Sequence, residues 1–221
     1  IVTGAGLDAV IVHAGTVPEE QLGGIVQCMN GGTRAVLINS PNNPTGIAWP
    51  GELLHELGRE AARHGVPIVS DEVYFGVGTE THASVGRCVE GAAVYTVNSF
   101  SKAQGLAGDR LGYVVLPDAE EMPYLSDARV TAAGEHQAPT MPQAAFALAG
   151  RIEQSPDLSR TYEAMACLRT EFTRVGCDVI PYEGGVFLCV GVPGRDGTTF
   201  HKELLQAGVG TVPGMAFGFP E

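Results

Sequence analysis

The chain has 221 residues, 44% of them hydrophobic and 17% charged, enough apolar material for one large domain or one and a half smaller ones. A net charge of -12 argues against nucleic acid or an anionic membrane as partner, since both need a cationic face, and no apolar run is long enough to span a bilayer. Five cysteines, Cys28, Cys88, Cys167, Cys177 and Cys189, are odd in number and widely spaced, which reads as reduced, mostly buried thiols of a cytoplasmic protein rather than a disulfide framework or a zinc site.

In chain order, residues 9–12 read as a short strand. Residues 18–29 place Leu22, Ile25, Val26 and Met29 on one helical face, closed by Gly31. Residues 34–39 carry the apolar run of a buried parallel strand. Residues 50–64 repeat the helical spacing with Leu53, Leu54, Leu57 and Ala61, and Gly65 is a natural stop; Trp49 ahead of them reads as a packing staple. Strands follow at 66–70, 92–97 and 111–116. Strands joined by helical crossovers predict a parallel sheet with helices on both faces, an α/β fold. Beyond about residue 118 the pattern changes. Helices are expected at 143–153 and 157–175, the second with Ser155 as cap and Pro156 in its first turn. Strands at 178–181 and 185–192, a helix at 199–207 and a last strand at 209–212 complete a smaller α+β unit. The expected division is a large domain over 1–125 and linking helices with a small C-terminal domain over 126–221.

One residue stands out chemically. Lys102 is one of two lysines in a chain that uses arginine eleven times. Arginine keeps its proton, whereas a lysine amine can lose one and attack a carbonyl carbon. Asn43, Asp71 and Ser99 each fall just past the C-terminal end of a predicted strand, and Tyr74 and Lys102 follow within a few residues. In open α/β sheets those ends line the ligand crevice. Lys102 offers an amine for a Schiff base. Asp71 offers a carboxylate whose burial calls for a cation or a protonated nitrogen. Tyr74 and Asn43 can share one phenolate oxygen, and Ser99, Ser101 and Arg110 can hold a phosphate, with the guanidinium as a bidentate fork. An aldehyde, a ring nitrogen, a phenolate and a phosphate together describe pyridoxal 5'-phosphate. Neither the cysteines nor the six histidines show metal-ligand spacing, and no metal is expected.

The segments Ser40-Pro41-Asn42-Asn43-Pro44-Thr45-Gly46, Ser70-Asp71-Glu72-Val73-Tyr74 and Ser99-Phe100-Ser101-Lys102, with Arg110, resemble the class I/II aminotransferases of pyridoxal-phosphate fold type I. Their order and their spacings of 28, 31 and 8 residues are also similar to that family. Two later segments, Glu183-Gly184-Gly185-Val186-Phe187-Leu188 and Val212-Pro213-Gly214-Met215-Ala216-Phe217-Gly218, resemble its C-terminal domain.

The resemblance implies that Lys102 carries the cofactor and moves the proton between the substrate's Cα and the cofactor. It implies that Asp71 keeps the pyridine nitrogen protonated, that Tyr74 and Asn43 stabilise the phenolate, and that Ser99, Ser101 and Arg110 anchor the phosphate. The substrates would be an amino acid and a 2-oxo acid, and the assembly a homodimer. Family members are longer; the resemblance implies an upstream glycine-containing phosphate loop, a ring-stacking aromatic residue and a downstream carboxylate-binding arginine that this sequence does not contain. Two other readings use the same residues: a lyase, synthase or cyclase on the same cofactor, and a pyridoxal-phosphate sensor domain of a transcription regulator.

Overall fold

The computed structural model describes residues 6–12, 15–78, 82–118, 120 and 157–219. Its first layer is a sheet of four strands, β1 (Val36–Asn39), β2 (Ile68–Asp71), β3 (Val94–Ser99) and β4 (Gly112–Val115), in the order β1-β2-β3-β4. β1, β2 and β3 run parallel, in the register Val36↔Ile68↔Val94 and Asn39↔Asp71↔Val97. β4 runs antiparallel to β3, with Ser99 opposite Gly112. The sequence reading expected a parallel strand here. The 100–111 connection contains no crossover helix, only the three-residue 3-10 turn Ala107–Asp109, so the chain turns back beside β3.

Three helices cover one face of this sheet. They are α1 (Pro18–Cys28), α2 (Gly51–His64) and the single turn α3 (Val85–Cys88). α2 forms where expected because Leu54, Leu57 and Ala61 recur at helical spacing, and all three are fully buried. Gly65 ends it in the left-handed region at φ 64°, which a residue without a Cβ adopts at no steric cost. These side chains join Leu22, Val36, Ile38, Ile68 and Val85 in the main core. Fully burying a leucine contributes about 1.5–3 kcal/mol, so Leu54 and Leu57 are principal anchors of α2 on the sheet. Trp49 does act as a staple: it is buried in the same cluster, and its indole N–H donates to Gln21 Oε1 on α1 at 3.0 Å. The opposite face carries Leu37, 67% exposed, and Val97.

Beyond this layer stand α4 (Ser159–Arg174), an antiparallel pair of two-residue strands, β5 (Asp178–Val179) and β6 (Val190–Gly191), and α5 (Gly197–Gln206). Asp196 caps α5, accepting from Thr198 N at 3.1 Å and Thr199 N at 2.7 Å. Residues 9–12 and 209–212, expected as strands, have no regular structure, because neither finds a partner strand among the described residues. The expected helix at 143–153 and the residues Ser155 and Pro156 lie outside the described residues, as does the proposed boundary at 125/126. The five cysteines are free, as expected, but not mostly buried. Cys28 and Cys167 are exposed, being turned away from the core on α1 and α4, and the other three are half-buried.

Candidate active site

Because β1, β2 and β3 are parallel, their C-terminal ends lie side by side and the loops leaving them share one edge. Asn43 follows β1, in a loop with cis bonds before Pro41 and Pro44. Asp71 closes β2 with Tyr74 three residues on, and Ser99 closes β3 with Lys102 three residues on. Asn39 laces the first two loops together. Its side-chain amide donates to the Asp71 carbonyl at 3.0 Å, and its carbonyl oxygen accepts from the Asn43 backbone N–H at 2.7 Å.

Tyr74 sits at the centre of the group. It is buried, and the Lys102 ammonium nitrogen stands 5.4 Å from its ring centroid, within the range of a cation–π contact. Burial, and next the negative charge of Asp71, hold its phenol above the usual tyrosine pKa, while a hydrogen bond from the Asn43 side chain pulls the other way. The phenol therefore keeps its proton at neutral pH and remains a donor. Asp71, half-buried, spends Oδ1 on the Val73 N–H at 3.1 Å. Lys102, Asp71, Tyr74 and Asn43 are thus brought together.

The loop bearing Lys102 is anchored at both ends. Phe100 and Leu106 are buried against each other and Leu111, the Phe100 ring lies 5.5 Å from that of Tyr113, and the Phe100 N–H donates to the Leu111 carbonyl at 3.1 Å. Ser99 Oγ accepts from the Ser101 N–H at 3.0 Å and lies 2.9 Å from Ser101 Oγ, so two hydroxyls and a backbone amide gather at the end of β3. Arg110 is exposed, with φ 51°, and its guanidinium donates to the Ala107 carbonyl at 3.2 Å. Among the described residues no hydrogen bond joins it to the serine pair.

Four contributors were assigned no role from sequence. Asn39 is an unremarkable strand end until the register places it opposite Asp71. Glu72, only 2% exposed, accepts at one oxygen from Val85 N (2.8 Å), Ser70 Oγ (3.0 Å) and Ser84 Oγ (3.3 Å), tying the end of β2 to α3. Phe187 meets the Tyr74 ring edge-on at 5.6 Å. The 182–185 turn hydrogen-bonds to the loops after β1 and β2: Gly184 N donates to the Gly46 carbonyl at 2.8 Å and Gly185 N to the Val77 carbonyl at 2.7 Å. The Gly-Gly pair between Tyr182 and Phe187 was the available signal, since adjacent glycines mark a close backbone approach.

Comparison with known proteins gives the family. The family model for aminotransferase class I and II covers residues 18–221. The chain is 32% identical to an aspartate aminotransferase of Thermococcus kodakarensis over 83% of its own length and 49% of the relative's. It is 31% identical to an aspartate/prephenate aminotransferase of Thermus thermophilus over 94% of its length and 56% of the relative's. An aspartate aminotransferase structure from Thermotoga maritima superposes with a TM-score of 0.80 at 28% identity, over 98% of this chain and 58% of that one. The chain therefore spans about half the length of the curated relatives it matches. With the α/β architecture, the strand-end cluster and these likenesses in agreement, the chain belongs to the class I and II aminotransferase family.

Proposed function

We propose that the protein is a pyridoxal 5'-phosphate-dependent aminotransferase that moves an amino group from an amino acid to a 2-oxo acid, with Lys102 as the covalent anchor of the cofactor. The observation that carries this reading is the Lys102 amine 5.4 Å from the Tyr74 ring, beside Asp71 and Asn43 at the ends of three adjacent strands. The donor set fits the cofactor's functional groups one by one: an amine for the aldehyde, a carboxylate for the ring nitrogen, a protonated phenol and an amide for the phenolate, and two hydroxyls with an amide for the phosphate. Arg110 fits the phosphate once its guanidinium turns from the Ala107 carbonyl.

When bound, pyridoxal 5'-phosphate supplies an electron sink for the pair released at the substrate's α-carbon. Lys102 Nζ would take the substrate's α-proton and return it on the way to product. The Asp71 carboxylate holds a proton on the ring nitrogen and keeps that nitrogen cationic. The Tyr74 hydroxyl donates to the cofactor's phenolate oxygen, which the raised pKa of this phenol permits. Asn43 shares that oxygen, and Asn39 keeps Asn43 and Asp71 in register. Ser99 and Ser101 hold the phosphate together with Arg110.

On the same reading the protein is a cytoplasmic homodimer, with a cofactor-carrying unit over 1–125 and a second unit over 126–221. The test is borohydride reduction of the full-length, cofactor-loaded protein followed by peptide mass spectrometry. A pyridoxyl group on Lys102 is expected, and its absence from that residue refutes the reading. Amino donors should also convert the bound cofactor to its pyridoxamine form; release of ammonia and a 2-oxo acid without a second substrate would mark a lyase instead.

A further inference from the structure

Three stretches of chain meet beside Tyr74, and main-chain groups make most of the contact. On one side the Gly46 carbonyl, three residues beyond Asn43, accepts from Glu183 N at 3.0 Å and Gly184 N at 2.8 Å. On the other, the Val77 carbonyl, three residues beyond Tyr74, accepts from Gly185 N at 2.7 Å. The next amide, Gly78 N, donates to the Tyr162 hydroxyl on α4 at 3.1 Å, and the Tyr182 hydroxyl donates to the Gly185 carbonyl at 2.6 Å. The 182–185 turn is therefore bonded at once to the loop that presents Asn43 and to the loop that presents Tyr74.

The fit leaves no room for side chains. A Cβ on Gly184 would come within 2.7 Å of Pro41 Cγ and the His82 ring. One on Gly46, at φ 73°, would come within 2.9 Å of the Gly184 carbonyl oxygen, and one on Gly78 would collide with the backbone of Glu183 and Gly184. Backbones this close set the separation of the two loops more rigidly than side chains with free torsions would.

We propose that the 182–185 turn, braced by Tyr162, is a positioning device that fixes Asn43 and Tyr74 relative to each other, so that both reach one oxygen of the bound cofactor. The turn acts through those two residues and need not touch the cofactor. The inference rests on the reading above that Asn43 and Tyr74 serve a common cofactor oxygen.

The test uses the full-length protein and Tyr162→Phe, which keeps the ring and removes the oxygen that accepts from Gly78. In the cofactor-free protein, exchange at the Val77–Gly78 amides should quicken about fivefold, the equivalent of one ordinary hydrogen bond. In the loaded protein, the pH at which the bound chromophore changes colour should rise, because a loosened phenol stabilises the cofactor's anionic oxygen less. Tyr74→Phe should raise it further, and adding Tyr162→Phe to Tyr74→Phe should give no additional shift. A Tyr162→Phe protein with faster exchange but an unmoved colour change overturns the proposal, as does an equal shift in the Tyr74→Phe background. If Tyr74→Phe itself leaves the colour change unmoved, the reading of the site fails and this proposal with it; faster exchange in the cofactor-free protein then shows that the clamp exists and locates the error in the role of Tyr74.

Discussion

Glu72 offers a direct measure of how firmly the post-β2 turn is held. Its carboxylate is 2% exposed, and one oxygen accepts from Val85 N, Ser70 Oγ and Ser84 Oγ. Glu72→Ala strips all three donors of their partner at once. Val85 and Ser70 are fully buried, so water cannot replace the lost acceptor, and an orphaned buried donor costs about 1–3 kcal/mol. The amide of Val85 is fixed, while the serine hydroxyls can rotate toward other acceptors, so the amide carries most of the penalty. Adding the small cavity left by four heavy atoms gives an expected loss of about 3–4 kcal/mol. Glu72→Gln keeps an oxygen in place but gives up charge assistance, worth about half the strength of each bond, while sparing the burial of a charge. Its expected loss is about 1 kcal/mol or less. Urea unfolding of the cofactor-free protein, read as a change in midpoint at constant slope, separates the two values. An alanine variant as stable as the parent, or a glutamine variant as damaged as the alanine one, refutes the assignment of Glu72 as the tie between β2 and α3.

Gly58, buried on α2, tests packing against helix propensity. A Cβ there would lie 2.8 Å from Val89 Cγ1, so Gly58→Ala should destabilise by about 1 kcal/mol despite the helical gain, whereas in a Val89→Ala background the same change should stabilise by up to ~1 kcal/mol; thermal melts of the four proteins decide it. On the proposed reading, Arg110→Ala should weaken pyridoxal 5'-phosphate binding at least tenfold and leave pyridoxal without its phosphate almost unaffected; equal losses for both would detach Arg110 from the phosphate. Tyr74, Tyr113 and Tyr182 all have phenols raised above pKa 10.0, by burial first and then by Asp71, Glu72 and Tyr162 respectively. Their protonated forms favour the fold, so stability should be intact below about pH 10 and fall as pH rises from there through their native values, with phenolate absorbance lagging behind that of free tyrosine. Asp196 goes the other way. Its carboxyl is lowered by the Thr199 and Thr198 bonds, so its contribution to α5 is present above the ordinary aspartate range and lost as pH falls through the native value, a loss that Asp196→Asn should remove from the acid limb of a melting profile.

The strand-end cluster was legible because residues that follow the strands of a parallel sheet share one edge of it. Asn43, Asp71 and Ser99 could be placed at strand ends from hydrophobic patterning alone, and parallel pairing then made them neighbours. What the sequence hid were relations set by register and close approach. Nothing local marks Asn39 as the residue opposite Asp71, and nothing in the Gly-Gly pair at 184–185 says which loops it will cross. Residues 9–12 and 209–212 have strand composition, but strand propensity is realised only beside a partner, and the described residues provide none.

The antiparallel direction of β4 is legible in the connection that precedes it, and it shapes the loop that carries Lys102 and Arg110. A parallel neighbour of β3 would need a crossover of a dozen or more residues, usually through a helix that returns the chain to the far end of the sheet. The 100–111 connection has no apolar helical period, and Gly105 and Gly108 would each cost a helix there about 1 kcal/mol relative to alanine. Turning back instead, the connection begins at Ser99 and ends at Gly112, and these two residues are paired. Lys102 and Arg110 are thereby held on one loop whose two ends meet beside the Ser99 hydroxyl, with Phe100 and Leu106 buried beneath it. A parallel β4 would have left Lys102 at this edge and drawn the chain beyond Arg110 toward the opposite one. On the proposed reading, a phosphate cradle built from Ser99, Ser101 and Arg110 therefore depends on the hairpin that keeps all three on one loop.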